Sequence, residues 1–378
     1  MPLPHCILCR LPVKFVNMNF STPALVVDLD KMEANIKHWQ AEINKHGVAL
    51  RPHVKTHKIP AIAQMQLAAG ASGITVAKVA EAEVFAEGGC DDIFIAYPVI
   101  GADKWQRAAQ LAKRIKLIVG VESEVGVRGL SMAAVEAGAT ILVRVEVDTG
   151  LNRSGVQSSQ TEDLCKLILT LPGLELDGLF TYRGNGFAGA GGRSPHALGL
   201  EEGEIMVRIA EHVRAQGIAI RNISGGSTPT AFAFASVPGI TEARPGTYVF
   251  SDYMQAARGI VSYDDIALTI YCTVISKQGP SKFTVDGGSK TFCGDIAYRG
   301  TDLKGYAKLI GKEIYVESLS EEHGVVRCDE PFDVNIGDVL AFHPVHVCTT
   351  VNLSDALIGV RSDKVEVVWP VLARGKRT

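Results

Sequence analysis

Between about residues 22 and 250, short β-branched runs alternate with longer helical patterns, and this regularity limits the fold more than any other feature of the chain. Candidate strands read VAL at 48–50, ITVA at 74–77, DIFIAY at 92–97 and IKLIVGV at 115–121. They continue as TILVRVEV at 140–147, LDGLFTY at 176–182, IAIRNIS at 218–224 and GITEA at 239–243. Helical patterns at 101–113, 123–137 and 196–216 fall between them. Such alternation demands parallel strands with helical crossovers, because a tight turn cannot join a parallel pair. Eight strands over roughly 230 residues fit a closed (β/α)8 barrel better than an open doubly wound sheet. No G-x-G-x-x-G follows the first strand to favour a dinucleotide-binding fold.

From about residue 258 the texture changes. The runs ALTIYCTVISK, KFTVDGG, EIYVESL, HGVVRC, DVLAFHPVHVCTTV and KVEVVWPV are strand-like and separated by turns. The expected class is therefore α/β: a TIM-type barrel over 21–255 and an all-β domain over 256–378. An N-terminal segment, 1–20, is either poorly ordered or joined to the β domain.

Charge excludes several partners. The chain carries 38 Lys plus Arg against 41 Asp plus Glu, with no block of one sign, so nucleic-acid and electrostatic membrane binding have no support. No apolar run reaches the length of a membrane-spanning helix, and MPLPHCILCRLPVKFVNMNF is too broken for a secretory signal. A cytoplasmic protein is expected. The eight cysteines are irregularly spaced, so reduced thiols are expected. Cys6 and Cys9 form a lone C-x-x-C without the second pair of a zinc ribbon.

Four stretches could carry chemistry. RPHVKTHK at 51–58 follows the first barrel strand, where strand C-termini face a barrel's active site. Lys55 there suits a Schiff-base amine, since partial burial frees its lone pair, and His53 and His57 could move protons. A solvated basic loop is the alternative. VDTGLNRSG at 147–155 puts Arg153 on the same rim, unless it is a structural Asp–Arg pair. Ser224, Gly225, Gly226, Ser227 and Thr228 after strand seven, with Gly246, Thr247 and Tyr248 after strand eight, could hold a phosphate through open backbone N–H groups and hydroxyls. His346 and Cys348, two apart, would leave one face of an extended strand and together suit Zn²⁺. A buried cysteine packed as a small hydrophobe is the plainer reading.

Taken in order, these stretches resemble the fold type III pyridoxal-phosphate enzymes of the D-serine dehydratase, D-threo-3-hydroxyaspartate dehydratase and D-threonine aldolase group. The resemblance runs from Thr22-Pro23-Ala24-Leu25 to Trp369-Pro370 and adds VAKVAEAEVFA at 76–86, RPGTYVFSD at 244–252, VDGGSKTF at 285–292, LSEEHG at 319–324 and HVCTTVNL at 346–353. It implies an alanine-racemase-like barrel, a C-terminal β domain and a homodimer. Lys55 would carry pyridoxal 5'-phosphate, Arg153 would meet the pyridine nitrogen, and Tyr182 with the loops at 224–228 and 246–248 would contact the cofactor. His346 and Cys348 would bind a metal. In this group the aldolases show His-x-Asp and the dehydratases His-x-Cys, so the resemblance favours zinc, with Mn²⁺ or another divalent ion as alternatives. It implies dehydration of a β-hydroxy D-amino acid: D-serine, D-threonine or D-threo-3-hydroxyaspartate. Arg183 stands where relatives show His or another residue, making it a candidate contact to the substrate side chain. The rivals are an aldolase giving glycine and an aldehyde, an amino-acid racemase, and a pyridoxal-phosphate-binding protein.

Overall fold

A computed structural model describes residues 20–184, 193–295 and 303–378; Cys6 and Cys9 lie outside the described residues. One sheet holds eight parallel strands: β2 (Ala49–Leu50), β3 (Ile74–Val76), β4 (Asp92–Pro98), β5 (Lys116–Val121), β6 (Ile141–Glu146), β7 (Leu174–Phe180), β8 (Asn222–Gly225) and β9 (Glu242–Ala243). Their order is β2-β9-β8-β7-β6-β5-β4-β3. The ends meet where Thr75 N–H donates to the Pro52 carbonyl at 2.8 Å, beside a parallel bridge between His53 and Thr75. This is the expected α/β barrel. Each strand overlaps an expected run, with ends that differ by a few residues.

The crossover helices include α2 (Pro60–Ala68), α3 (Val79–Glu87), α4 (Ala102–Ala112), α5 (Glu124–Ala137), α6 (Thr161–Thr170), α7 (Pro195–Ala215) and the short α8 (Ala231–Ala235); the short α9 (Tyr253–Ala257) and α10 (Ser289–Phe292) follow the barrel. No helix among the described residues is long and apolar enough to cross a membrane.

The second sheet has nine strands in the order β11-β14-β13-β12-β15-β10-β1-β16-β17. Its members are β1 (Ala24–Asp28), β10 (Leu268–Lys277), β11 (Lys282–Val285), β12 (Ala307–Leu309), β13 (Tyr315–Leu319), β14 (Gly324–Arg327), β15 (Val339–Pro344), β16 (Ala356–Arg361) and β17 (Lys364–Pro370). β1 lies in this sheet although its residues fall within the span 21–255. It runs antiparallel to β10 and parallel to β16. The chain then enters α1 (Leu29–Asn44), capped by the Asp28 carboxylate on Lys31 N–H. α1 covers the barrel with Trp39, which stacks on Phe232 at 4.2 Å.

The run HVCTTV is a correction to the expected extended strand. β15 stops at Pro344, and α11 (Val347–Leu353) begins with His346 as its N-cap. His346 supplies no side-chain cap; the buried Asp252 does, accepting Val347 N–H at 3.1 Å. Asp252 also caps α9 (Tyr253–Ala257). A cap donated from a residue 95 positions away turns a β-branched run into helix against its local preference.

The barrel interior is ionic. Glu242 on β9 accepts from Arg51 Nε at 2.6 Å on one oxygen and from Arg144 of β6 at 2.5 Å on the other. β6 and β9 are not neighbours, so this bond crosses the lumen. Arg144 also binds Asp177, and Arg51 binds Asp92, each at 2.6 Å. Burial would push the Glu242 carboxyl up, but the two guanidiniums hold it far below its ordinary 4.5. A depressed folded value gives stability that is complete above the unfolded carboxylate's value and is lost as pH falls below it. Glu242→Gln should therefore cost about 3–5 kcal/mol in urea unfolding at pH 7. The difference from the parent should shrink as pH is lowered below about 4.

Candidate active site at the barrel mouth

Lys55 lies in a single 3-10 turn, Val54–Thr56, directly after β2. The turn is held at its start: His53 N–H donates to the Pro245 carbonyl at 2.9 Å, and the His53 ring accepts Lys55 N–H at 3.4 Å. Gly246 permits this approach, because a Cβ there would stand 2.7 Å from the His53 carbonyl oxygen. Lys55 is half-buried, with its ammonium 5.7 Å from the centre of the Tyr182 ring. The guanidinium of Arg153, exposed on the rim, lies 4.9 Å from the same ring. Asp148 shapes the Arg153 loop by accepting N–H bonds from Gly150, Leu151 and Asn152 at 2.9–3.1 Å. Lys55, Tyr182 and Arg153 thus converge from three loops.

The other expected residues divide. Burial, then the charges of Lys55 and Arg244, push the His53 imidazole well below 6.5, so it stays neutral. His57 is enclosed in the core and pulled down to about 4 by burial. Its Nδ1 accepts Ile59 N–H at 3.1 Å and its Nε2 meets Gln66 Oε1 at 3.2 Å. Gln66 in turn donates to the Tyr248 hydroxyl at 2.9 Å. His57 and Tyr248 therefore belong to one enclosed chain of bonds. Ser224 is also used internally: its hydroxyl donates to Glu242 at 2.6 Å and accepts from Arg244 at 2.5 Å.

What remains after β8 and β9 suits an anion. Gly226 takes a left-handed φ of +72°, and a Cβ on Gly225 would collide with Phe234 at 2.5 Å. Ser227 N–H donates to Thr230 Oγ1 at 2.9 Å, rounding the loop. The Thr228 hydroxyl is buried without a partner among the described residues. An orphaned buried hydroxyl costs about 1–3 kcal/mol unless something binds it, so this loop fits the phosphate of the expected cofactor.

Arg183 follows β7, and its NH2 meets Glu201 at 2.8 Å while its NH1 is buried with no partner among the described residues. Its N–H donates to Glu202 at 3.1 Å, a buried carboxyl pushed up by burial.

The metal candidates meet the Lys55 turn. Cys348 Sγ lies 3.2 Å from Thr56 Oγ1 and 3.8 Å from Thr247 Oγ1. Burial would raise the Cys348 thiol, but His346, Lys55 and Thr56 together lower it from 9.0. Burial would lower His346, but Cys348, Asp295 and Asp252 raise it well above 6.5. Each of the two thus biases the other toward its charged form. Asp295 fixes the ring, 2.7 Å from Nδ1, and Thr349 donates to the same carboxylate oxygen at 2.8 Å. That leaves Nε2 for a metal, the arrangement of carboxylate-oriented histidine ligands. Among the described residues no group of three His, Cys, Asp or Glu is arranged to hold a metal. Sequence reasoning missed Asp252, Asp295 and Thr56 as supports of this pair. Asp252 ends the stretch RPGTYVFSD, but nothing local pairs it with α11.

Comparison with known proteins gives concordant findings. Residues 27–254 match the alanine racemase N-terminal domain, and residues 267–360 match a putative serine dehydratase domain. The chain is 37% identical over 366 residues to a D-threonine aldolase from an Arthrobacter species, covering 94% of this chain and 93% of that protein. It is 35% identical over 356 residues to D-threo-3-hydroxyaspartate dehydratase of a Delftia species, covering 88% and 92%. The solved structure of the Delftia dehydratase superposes with a TM-score of 0.86 at 32% identity, covering 93% of this chain and 97% of that one. A cysteine-to-alanine variant of a D-threo-3-hydroxyaspartate dehydratase, in a metal-free form, superposes at 0.85 and 32% identity, covering 93% and 97%.

The orphaned hydroxyl makes a prediction with opposed signs. Thr228→Val should leave the cofactor-free melting temperature unchanged or raised, because it removes an unpaired polar atom. The same change should weaken pyridoxal-phosphate binding about 10-fold, read by titrating the visible absorbance, if that hydroxyl serves the phosphate.

Proposed function

We propose, because the chain belongs to the pyridoxal-phosphate-dependent family of D-amino acid lyases built from an alanine racemase N-terminal domain and a serine dehydratase domain, that it dehydrates a β-hydroxy D-amino acid to a 2-oxo acid and ammonia. The observation that carries the reading is the His346–Cys348 pair beside the Lys55 turn, 3.2 Å from Thr56. An amine base and a soft metal pair at one turn suit proton removal at Cα and departure of a hydroxyl from Cβ.

Lys55, Tyr182 and Arg153 would hold the cofactor ring, and Thr228 with Gly246 would hold its phosphate. Pyridoxal phosphate, when bound, supplies the electron withdrawal that acidifies the substrate's Cα–H. The Lys55 amine would take that proton as the Cβ–O bond breaks, and the hydroxyl would leave as water. Neutral His53 spares Lys55 a second adjacent charge and holds its turn through the Lys55 N–H. Arg153 would face the pyridine nitrogen with a guanidinium donor in place of a carboxylate, a setting in which the ring would be a weaker electron sink. Leaving-group assistance then matters more. His346 and Cys348 would hold a divalent cation that supplies it as a Lewis acid, and the thiolate favours Zn²⁺ over hard ions. The metal-free form of the related cysteine-to-alanine variant supports a metal role for Cys348.

Arg183 would meet a second carboxylate on the substrate through its Nη1, which has no partner among the described residues, although Glu201 already occupies its Nη2. An aldolase is the second reading, supported by the Arthrobacter relative. A homodimer accompanies the proposal as what the family resemblance implies, and a cytoplasmic location as what the sequence suggests.

Products decide between the readings. Incubation with D-serine, D-threonine and D-threo-3-hydroxyaspartate should yield 2-oxo acid and ammonia in equal amounts, with no glycine. Glycine and an aldehyde in place of ammonia would establish the aldolase. Chelation should abolish turnover while the melting temperature changes little, because the second domain is held by an apolar core, and Zn²⁺ should restore activity better than Mg²⁺.

A further inference from the structure

We infer that Lys58 is a positioning residue: with Thr56 it locks α11, and with it the metal pair, at one setting against the Lys55 turn. The inference rests on the metal reading above and names what sets that site's geometry.

Lys58 ends the turn that carries Lys55. Its N–H closes on the Val54 carbonyl at 2.8 Å, and its backbone takes a left-handed φ of +55°, unfavourable for any residue with a Cβ. Its carbonyl accepts Ala373 N–H at 3.1 Å, so the turn is gripped by the chain's C-terminal segment as well. Lys58 is buried, and its ammonium lies 3.0 Å from Glu81 Oε1 and 2.7 Å from Asn352 Oδ1. Glu81 is fixed in turn, since its other oxygen accepts Ala77 N–H at 2.7 Å just beyond β3. The ammonium is therefore moored to the barrel by a charge and reaches the second domain by one hydrogen bond.

That bond lands at an informative place. Asn352 is four residues beyond Cys348 on α11, one turn along the same face. Thr56 meets Cys348 at the first turn, and Lys58 meets Asn352 at the last. Two rungs join residues two apart on the loop to residues one turn apart on the helix. Together they fix both the rotation of α11 about its axis and its slide along it, whereas one rung leaves a freedom open. Cys348 is thereby held against the turn that carries Lys55. A merely structural Lys58 would serve only as the counter-ion that buried Glu81 requires. That role needs Glu81 and has no use for Asn352, so the two accounts separate at Asn352.

The test uses full-length enzyme loaded with pyridoxal phosphate. Zn²⁺ affinity is measured by competition with a chromophoric chelator, well below the melting temperature, for the parent, Asn352→Leu, Lys58→Met and Lys58→Arg. The parent should bind Zn²⁺ tightly. Asn352→Leu, which leaves the Lys58–Glu81 pair in place, should bind it about 10-fold or more weakly, with the visible cofactor band and the melting temperature near the parent's. Excess Zn²⁺ should restore most of its kcat. Lys58→Met should show the same loss, and Lys58→Arg should recover part of it. Should Lys58→Met fail to fold, Asn352→Leu decides alone. Parental Zn²⁺ affinity in folded Asn352→Leu would overturn the positioning role and leave the metal reading standing. A parent that binds no Zn²⁺ would overturn the metal reading, and this inference with it.

Discussion

Glu242 sits inside the barrel with a guanidinium on each oxygen, and those guanidiniums reach on to Asp92 and Asp177. Arg51, Arg144, Asp177 and Glu242 are buried, so each of these charges is tolerable only while its partners stay in place. The same cluster extends toward the mouth. Ser224 at the end of β8 binds Glu242, Arg244 binds Ser224, and Arg244 also donates to the Thr181 carbonyl at 2.7 Å beyond β7. Phe94 and Phe180 pack against the Arg244 guanidinium at 5.4 and 5.3 Å. The loops that carry Tyr182 and Thr228 therefore start from residues pinned by charge, which suits a site that must hold its geometry.

The site needs both sheets. β1 seats the start of the described chain in the second sheet, and α1 carries it back over the barrel. Asp252, arriving from the last barrel strand, caps the helix that bears Cys348. Thr56 touches that cysteine from the first barrel strand's loop. The soft pair and the amine thus meet because the chain threads the two sheets more than once, and neither domain alone holds the full set.

Much of this was legible in the sequence. Eight β-branched runs with helical spacers carry barrel periodicity along the chain, and every one became a strand. Lys55, Arg153 and Tyr182 follow strand C-termini, so their meeting at one mouth follows from the topology. What stayed hidden depends on direction and on distant partners. In RPHVKTHK, Lys55 and His57 are two apart, yet Lys55 reaches Tyr182 while His57 is enclosed with Gln66. Ser224 and Tyr248 look like phosphate ligands by type but are bonded to Glu242 and Gln66. The pairing of Arg51 with Glu242 spans 191 positions, and no local pattern reports it. HVCTTV has the local pattern of a strand but forms a helix for the same reason, since its cap comes from distant Asp252.

Pyridoxal-phosphate chemistry at this site requires Lys55, where the two sheets meet, to carry the cofactor. Borohydride reduction of the cofactor-loaded enzyme fixes pyridoxal phosphate to whichever lysine holds it, and peptide mapping by mass spectrometry reads the position. The label is expected on Lys55 alone, in stoichiometric amount. A label on Lys58, on Lys78 or on any other lysine would contradict the site described here.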